Sequence, residues 1–287
     1  MIDLHMHSRY SEDGEYSPRE LVEQCAQCGI DTMSVTDHNC ARANEEAQAA
    51  AKEKNIRYIP GIEIDCVYSD ANFHVLGYEI DFRSEDFKKI EDHVRQQSLT
   101  ASMERLEKTR TRLGFSVTEE ELYRLSKDSY WQESWPGELF AEVLLDKPEY
   151  LEHELLRPYR TGGARSDNPY VNFYWDYYSQ GKSCYAGMEY PSMKQVVDII
   201  HRNGGKAVLA HPGVNLKGRE SLLDGVLALG MDGIEAFSSY HTQEQAEFFS
   251  GQAKQRKLSV TCGSDYHGKT KPSIHLGQYG TLPGDST

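Results

Sequence analysis

Histidine and carboxylate side chains recur along this chain at spacings that suit metal chemistry. His5-Met6-His7 is an i, i+2 pair; on extended backbone both imidazoles project from one side, so a single cation can take both. A lone His-x-His is more often incidental than a metal site, so the weight falls on where the other candidates sit. Asp37-His38 directly follows an apolar, β-branched run, and Glu63 and His74 lie within two further runs. His211 follows Leu209-Ala210, and Asp265 and His267 follow Thr261-Cys262-Gly263. Of eleven histidines, six (His5, His7, His38, His74, His211, His267) occupy such positions, a clustering that scattered surface or packing histidines would rarely produce. Imidazole plus carboxylate without thiolate suits zinc, manganese or iron with positions left open for water and substrate, rather than a cysteine-bound structural zinc.

Residues so far apart in sequence need a scaffold that gathers them. Residues 2–6 read as a strand, and Ser17-Pro18-Arg19-Glu20 supplies an N-cap, a proline at N1 and a capping-box glutamate for a helix closed by Gly29. A strand over 30–36, an Ala- and Glu-rich helix over 41–54 and strands over 58–64 and 73–78 follow, the last able to pair with its predecessor. From about Ser84 to Tyr185 the chain turns charged and aromatic with helical periodicity, including a long helix over 86–113 and a capping box Thr118-x-x-Glu121. Alternation then resumes with a helix opened by Ser192-x-x-Gln195, a strand over 206–210, a helix over 219–229, a strand over 233–237, a helix opened by Thr242-x-x-Gln245 and a strand over 258–262. Regular β-α alternation on both sides of an insertion predicts an α/β chain whose parallel strands close into a barrel. The expected organisation is a barrel from 1–83 and 186–287 with an inserted, mainly helical domain over 84–185. In such a barrel the C-terminal strand ends converge on one face, and distant ligands meet there.

Composition narrows the partners. No run approaches the roughly 20 apolar residues of a membrane span, and no basic n-region or apolar h-region precedes the first strand, so a cytoplasmic location is expected. A net charge of -14 argues against neutralising a long nucleic-acid backbone, while cations in an acidic site still admit a small phosphorylated molecule. The six cysteines read as reduced, mostly buried thiols; Cys25-x-x-Cys28 falls on a predicted helix without a second pair. The last ten or so residues, with Gly, Pro, Asp and Ser, read as a loose tail.

Seven short motifs, in order, then carry a resemblance: Asp3-Leu4-His5-Met6-His7-Ser8, Ser11-Glu12-Asp13-Gly14, Thr36-Asp37-His38-Asn39, Pro60-Gly61-Ile62-Glu63, Phe73-His74-Val75-Leu76-Gly77, Ala210-His211-Pro212 and Gly263-Ser264-Asp265-Tyr266-His267-Gly268. The chain resembles the PHP (polymerase and histidinol phosphatase) domain phosphoesterases, of the stand-alone type with an inserted helical domain. The resemblance implies a distorted TIM-like barrel of about seven β/α units and a trinuclear metal site at its strand ends. One metal would take His5, His7, Glu63 and Asp265; a second would share Glu63 and add His74 and His211; a third would take Asp13, His38 and His267. Asp37 is expected to orient a neighbouring ligand rather than bind metal. Water bridging two cations is then activated for in-line attack on phosphorus, and His211, His267 and Asp265 are the expected catalytic side chains, with His211 or His267 as candidate proton donors.

The resemblance breaks at one point. Relatives acting on nucleotide-type phosphates often carry an Arg-Pro-His segment in the insertion, and this chain has Trp135-Pro136-Gly137-Glu138 there. Arg157, Arg160, Arg165 and Lys182, set among Tyr159, Tyr170, Tyr174, Trp175 and Tyr185, are the substitute substrate contacts expected from sequence. The expected reaction is hydrolysis of a small phosphorylated substrate, a nucleotide phosphomonoester, with two or three divalent ions (Mn, Zn or Fe). Rivals are a cyclic phosphodiester hydrolase, a histidinol-phosphate phosphatase, a structural metal-binding module and a carbon–nitrogen hydrolase; the last would call for a carboxylated lysine at a strand end.

Overall fold

The structure, a computed structural model, describes residues 1–280; the end of the expected tail lies outside them. Short parallel strands β1 (Ile2–Asp3), β2 (Thr32–Met33) and β3 (Arg57–Tyr58) form one sheet. Their crossovers are α1 (Pro18–Gln27) and α2 (Ala43–Glu53). Helix α1 begins at the capping box of Ser17 and Glu20, with Pro18 at N1. Gly29, at φ +73°, turns the chain out of it in the left-handed conformation that costs glycine least.

A second sheet runs in the order β4 (Gly61–Tyr68), β5 (Ala71–Tyr78), β6 (Lys206–Leu209), β7 (Gly233–Ser238), β8 (Ser259–Gly263). The expected all-parallel set breaks at β5, which runs antiparallel to both β4 and β6. The cause is local: Ser69 and Asp70, at φ 49° and 60°, join β4 to β5 as a two-residue left-handed turn. A parallel pair would need a crossover of a dozen or more residues. Helices α7 (Met193–Arg202), α9 (Leu223–Leu227) and α10 (Gln243–Arg256) pack on this sheet, and one turn, α8 (Pro212–Asn215), follows β6. The expected 219–229 helix is shorter than its pattern, a 3₁₀ turn followed by α9.

The two sheets meet at both seams. Leu4 N–H donates to the Cys262 carbonyl at 3.1 Å and His7 N–H to that of Tyr266 at 2.9 Å; at the other seam Asn39 N–H donates to Glu63 O at 2.7 Å and Glu63 N–H to Asp37 O at 3.1 Å. Ile62, Ile64, Phe73, Val75, Val196, Ile200 and Ile234 form the main core under the second sheet, and Met6, Leu21, Met33, Val35 and Ala47 fill the first. Each of the larger of these side chains, fully buried, stabilises by roughly 1.5–3 kcal/mol.

Between β5 and α7 the chain forms α3 (Glu85–Arg112), α4 (Glu119–Ser126), α5 (Gly137–Asp146) and α6 (Pro169–Tyr177). Leu106, Phe115, Phe140, Leu144, Tyr159, Phe173 and Tyr178 make a separate core there. Trp131 and Val94 join that region to Cys40 and Tyr10, and Trp131 Nε1–H donates to the Tyr10 carbonyl at 2.5 Å. No helix of the described residues is long and apolar enough to cross a membrane.

Candidate metal centre

The rim of the two sheets gathers histidines and carboxylates that the chain order scatters. His5 and His7 follow β1, and His5 can approach β8 only because Gly263 has no side chain: a Cβ there would lie 2.2 Å from that of His5. His38 follows β2; Glu63 sits on β4 and His74 on β5; His211 follows β6; Asp265 and His267 follow β8; Asp13 comes from the loop before α1. His211 and Asp265 hold positive φ, 22° and 57°, a backbone strain that clusters at sites where a side chain must point one way.

Four sets of ligand atoms each lie within 4.8 Å of one another: His5, His7, Glu63 and Asp265; Glu63, His74 and His211; His7, Asp13, His38 and His267; and His38, Asp65 and His74. All nine sequence-expected ligands thus face one another, with Glu63 in two sets. Its Oε2 lies 3.1 Å from His5 Nε2 and 3.2 Å from His7 Nε2, and its Oε1 2.9 Å from His74 Nδ1 and 3.1 Å from His211 Nε2. Asp265 Oδ1 lies 3.2 and 3.0 Å from His5 and His7 Nε2, and Asp13 Oδ2 3.1 Å from His267 Nε2.

Whether these residues suit metal ions is decided by their polar atoms. His7 Nε2, His38 Nδ1, His267 Nε2, Asp13 Oδ1 and Asp265 Oδ1 are buried and lack hydrogen-bond geometry, although the His7 and His267 nitrogens lie 3.0–3.2 Å from carboxylate oxygens. Burying so many unmatched donors and acceptors is costly, and a cation is the partner that satisfies imidazole nitrogen and carboxylate oxygen together. The donor set, hard oxygen with imidazole, fits zinc, manganese or iron.

The electrostatics follow from the same crowding. Burial pushes the Glu63 carboxyl up, but the facing His5, His38 and His74 rings hold it well below the usual carboxylate range. Burial pushes the Asp265 carboxyl up as well, and Lys271, His267 and His5 override it downward. Burial lowers His5 and His74, yet Glu235 and Glu63 around the former, and Glu63 and Asp65 around the latter, raise both well above an ordinary imidazole. For His38 burial prevails and the shift is downward.

A second layer sets ring orientation. His5 Nδ1 pairs with Glu235 Oε1 at 2.9 Å, and Glu235 Oε2 accepts from the His211 backbone N–H at 2.7 Å. His7 Nδ1 pairs with Ser11 Oγ at 2.8 Å. Ser11 in turn leans on Asp37 at 3.2 Å, and Asp37 also receives the Ser8 N–H and hydroxyl at 2.6 and 2.7 Å. Asp37 has no place in the four ligand sets. His267 Nδ1 pairs with the Asp265 carbonyl at 2.8 Å. Such partners select the ring tautomer that presents the other nitrogen.

Asp65, Glu235, Arg105 and Lys271 did not stand out in the sequence, and Glu138 did so only within the segment that replaces Arg-Pro-His. Asp65 carried a signal, being i, i+2 from Glu63 on the same face of β4, and Glu235 another, being the one charge in the apolar run of β7. The other three are brought to the site only by packing of the insertion and of the turn after His267. A cavity of about 430 Å³ opens on the rim, bordered by Asp13, His38, His74, His211 and Asp265, by Arg105, Glu138, Tyr174, Trp175 and Tyr190 of the intervening region, and by Lys217, Arg219, Tyr240 and Lys271. Burial and Asp13 push the Glu138 carboxyl up to about 8. Arg157, Arg160, Arg165 and Lys182 do not border this cavity: Arg160 donates to the Leu145 and Tyr150 carbonyls, Arg165 pairs with Asp176 at 3.1 Å, and Arg157 and Lys182 are exposed.

A family model for the PHP domain matches residues 3–160. The chain is 29% identical over 286 residues to the 3',5'-nucleoside bisphosphate phosphatase of Chromobacterium violaceum, covering 98% of this chain and 92% of that protein. It is 28% identical over 269 residues to the 5'-3' exoribonuclease of Haemophilus influenzae, covering 92% and 89%. A solved amidohydrolase from Chromobacterium violaceum, with bound sulfate and no metal, superposes with a TM-score of 0.80 at 26% identity over 99% of this chain and 92% of that one. With the motif order, the rim and the matched model in agreement, the chain belongs to the PHP domain family, and it is a metal-dependent phosphoesterase.

Proposed function

We propose that the rim holds two or three divalent ions, Mn, Zn or Fe, on His5, His7, Asp13, His38, Glu63, His74, His211, Asp265 and His267, and that the enzyme hydrolyses the phosphoester of a nucleotide. The observation that carries the reading is the set of buried ring nitrogens and carboxylate oxygens without hydrogen bonds, facing one another around Glu63. Bound there, such ions lower the pKa of water and offset charge on phosphoryl oxygens. The chain's own part is orientation and proton handling. Glu235, and Asp37 through Ser11, hold the His5 and His7 rings in place. His211, His267 and Asp265 are the proposed catalytic side chains. Of the two histidines, His211 borders the cavity, with Nδ1 buried and without a hydrogen bond, where it can hold the proton a departing alkoxide needs.

On this reading the two sheets, stitched at both seams, are the halves of a distorted (β/α)7 TIM-like barrel, and residues 84–185 are an inserted domain that roofs the site. Tyr174, Trp175 and Tyr190 share the cavity with the ligands and offer faces on which a base can stack. By their names one relative is a nucleoside bisphosphate phosphatase and the other a 5'-3' exoribonuclease, which favours a mononucleotide or the 5' end of a short RNA over histidinol phosphate. A carbon–nitrogen hydrolase built on a carboxylated lysine is disfavoured, because the residue that would be shared between two of the ligand groups is Glu63 rather than a lysine.

The test is metal analysis of the purified protein and a phosphate-release screen with Mn²⁺ across AMP, adenosine 3',5'-bisphosphate, a cyclic nucleotide, histidinol phosphate and a short 5'-phosphorylated RNA. At least two metals per chain and fastest release from a nucleotide are expected. Fewer than two metals with no release from any substrate refutes the proposal, and a preference for histidinol phosphate replaces its substrate.

A further inference from the structure

We propose that Lys271 is a further catalytic residue of this site, its buried ammonium gripping a phosphoryl oxygen of the substrate from beside Asp265. The inference rests on the phosphoesterase reading above and adds a protein cation to it. Lys271 is only 7% exposed and borders the cavity. Its Nζ donates to Asp265 Oδ2 at 2.7 Å and lies 5.5 Å over the Tyr240 ring. Asp265 is therefore divided: Oδ1 faces the His5 and His7 nitrogens, while Oδ2 takes Lys271 and the Tyr240 hydroxyl, the latter at 2.5 Å. One carboxylate's width separates the ammonium from the proposed cation cluster.

An ammonium has three donors, and among the described residues Asp265 is the one hydrogen-bonded partner of this one. Where Lys271 borders the cavity, its ammonium has capacity for a further acceptor beside Asp265. An anion entering the cavity is the partner that matches, since lysine binds phosphate as a compact point charge. Lys217 and Arg219 also border the cavity but are exposed, and water screens them.

The backbone beneath Lys271 is held on both sides. Thr270 Oγ1–H donates to the Asp13 carbonyl at 2.8 Å, Lys271 N–H to the Gly268 carbonyl at 3.1 Å, and Lys269 pairs with Glu142 of α5 at 2.7 Å. The ammonium is thus preorganised by the loop that bears Asp13 and by the intervening helical region, and it does not have to be recruited when substrate arrives.

Lys271→Met and Tyr240→Phe each remove one donor from the same oxygen of Asp265, so together they separate substrate contact from ligand positioning. For both variants and wild type in Mn²⁺, we would measure metals per chain, kcat and KM for AMP, and the Kd of inorganic phosphate by calorimetry. Expected for Lys271→Met are unchanged metal content, a kcat about 100-fold lower and a phosphate Kd at least about tenfold weaker; Tyr240→Phe should keep its phosphate Kd within about threefold. Loss of metal from Lys271→Met, an unchanged phosphate Kd, an equal loss in Tyr240→Phe or no phosphate binding by the wild type overturns the proposal. Should Lys271→Met not fold, Lys271→Arg against Lys271→Gln decides, because only the former keeps a cation. Phosphate binding reads Lys271 even if AMP is not turned over, so failure here is distinct from failure of the substrate assignment.

Discussion

The rim and the helical region bury polar atoms in opposite ways. Around the rim, five ring nitrogens and carboxylate oxygens of the proposed ligands His7, Asp13, His38, Asp265 and His267 stand buried without hydrogen bonds, beside His211 Nδ1. Among the described residues from 84 to 185, Arg160 Nε is the one buried side-chain polar atom in that condition. Elsewhere in that region partners are matched: Thr109 Oγ1 meets the Tyr178 hydroxyl at 2.7 Å, and Tyr159 OH donates to Asp176 at 2.6 Å inside an aromatic core. A region whose buried polar atoms are met by its own side chains supplies walls. A region that leaves buried ring nitrogens and carboxylate oxygens without hydrogen bonds suits completion by a ligand, and it trades stability for binding.

The sharpest way to break that contrast is His7→Ala, a residue of two of the ligand sets. Loss of metal and a fall in phosphate release of about 1000-fold are expected, yet in metal-free protein the variant should unfold at a denaturant midpoint no lower than wild type. Full turnover in this variant would contradict the metal reading. Phe140→Ala, at the centre of the helical core, should do the reverse, costing about 3–5 kcal/mol by chemical denaturation while leaving metal content unchanged.

Metal itself should raise stability through the rim alone. At 100 times its Kd, Mn²⁺ should add about 2.7 kcal/mol to wild type and nothing to His7→Ala; equal thermal shifts in the two would mean that the ion binds elsewhere.

Glu138 stands at the border between the two regions and tests it through pH. Its carboxyl is pushed up to about 8 by burial and by Asp13, so the folded state holds a proton that the unfolded chain releases near 4.5. That contribution is complete in acid below the ordinary carboxylate value and is lost as pH climbs toward 8. Glu138→Gln cannot ionise, so in EDTA its melting temperature should gain on wild type between pH 5 and pH 9. A difference that does not change with pH would remove Glu138 from the argument. The smallest effect belongs to Arg165→Ala: the half-exposed pair with Asp176 should cost under about 1 kcal/mol, and kcat/KM for AMP should change less than about twofold, whereas a loss above tenfold would return Arg165 to the substrate site.

Much of this was legible from local chemistry. The i, i+2 pair His5 and His7, the capping boxes at Ser17, Ser192 and Thr242 and the motifs ending in His38, His211 and His267 are set by residues within a few positions of one another. The reversed direction of β5 was only half legible, since Ser69-Asp70 must take left-handed conformations that neither residue advertises as glycine would. The cations that border the cavity differ from those the sequence singled out, for a related reason. Composition ranks Arg157, Arg160, Arg165 and Lys182 as well as it ranks Arg105 and Lys271, and the ranking changes only when the helices pack.

By itself, the order of residues determined which side chains can bind metal and which strand ends carry them, because ligand identity and backbone period are local properties. Tertiary structure alone decided that His38 also faces Glu63, that Asp65 joins His38 and His74, that Glu235 aims the His5 ring, and that Lys271 rather than Arg165 reaches the cavity. Those outcomes depend on distances between residues tens to hundreds of positions apart, and such distances follow from how sheets and helices close on one another.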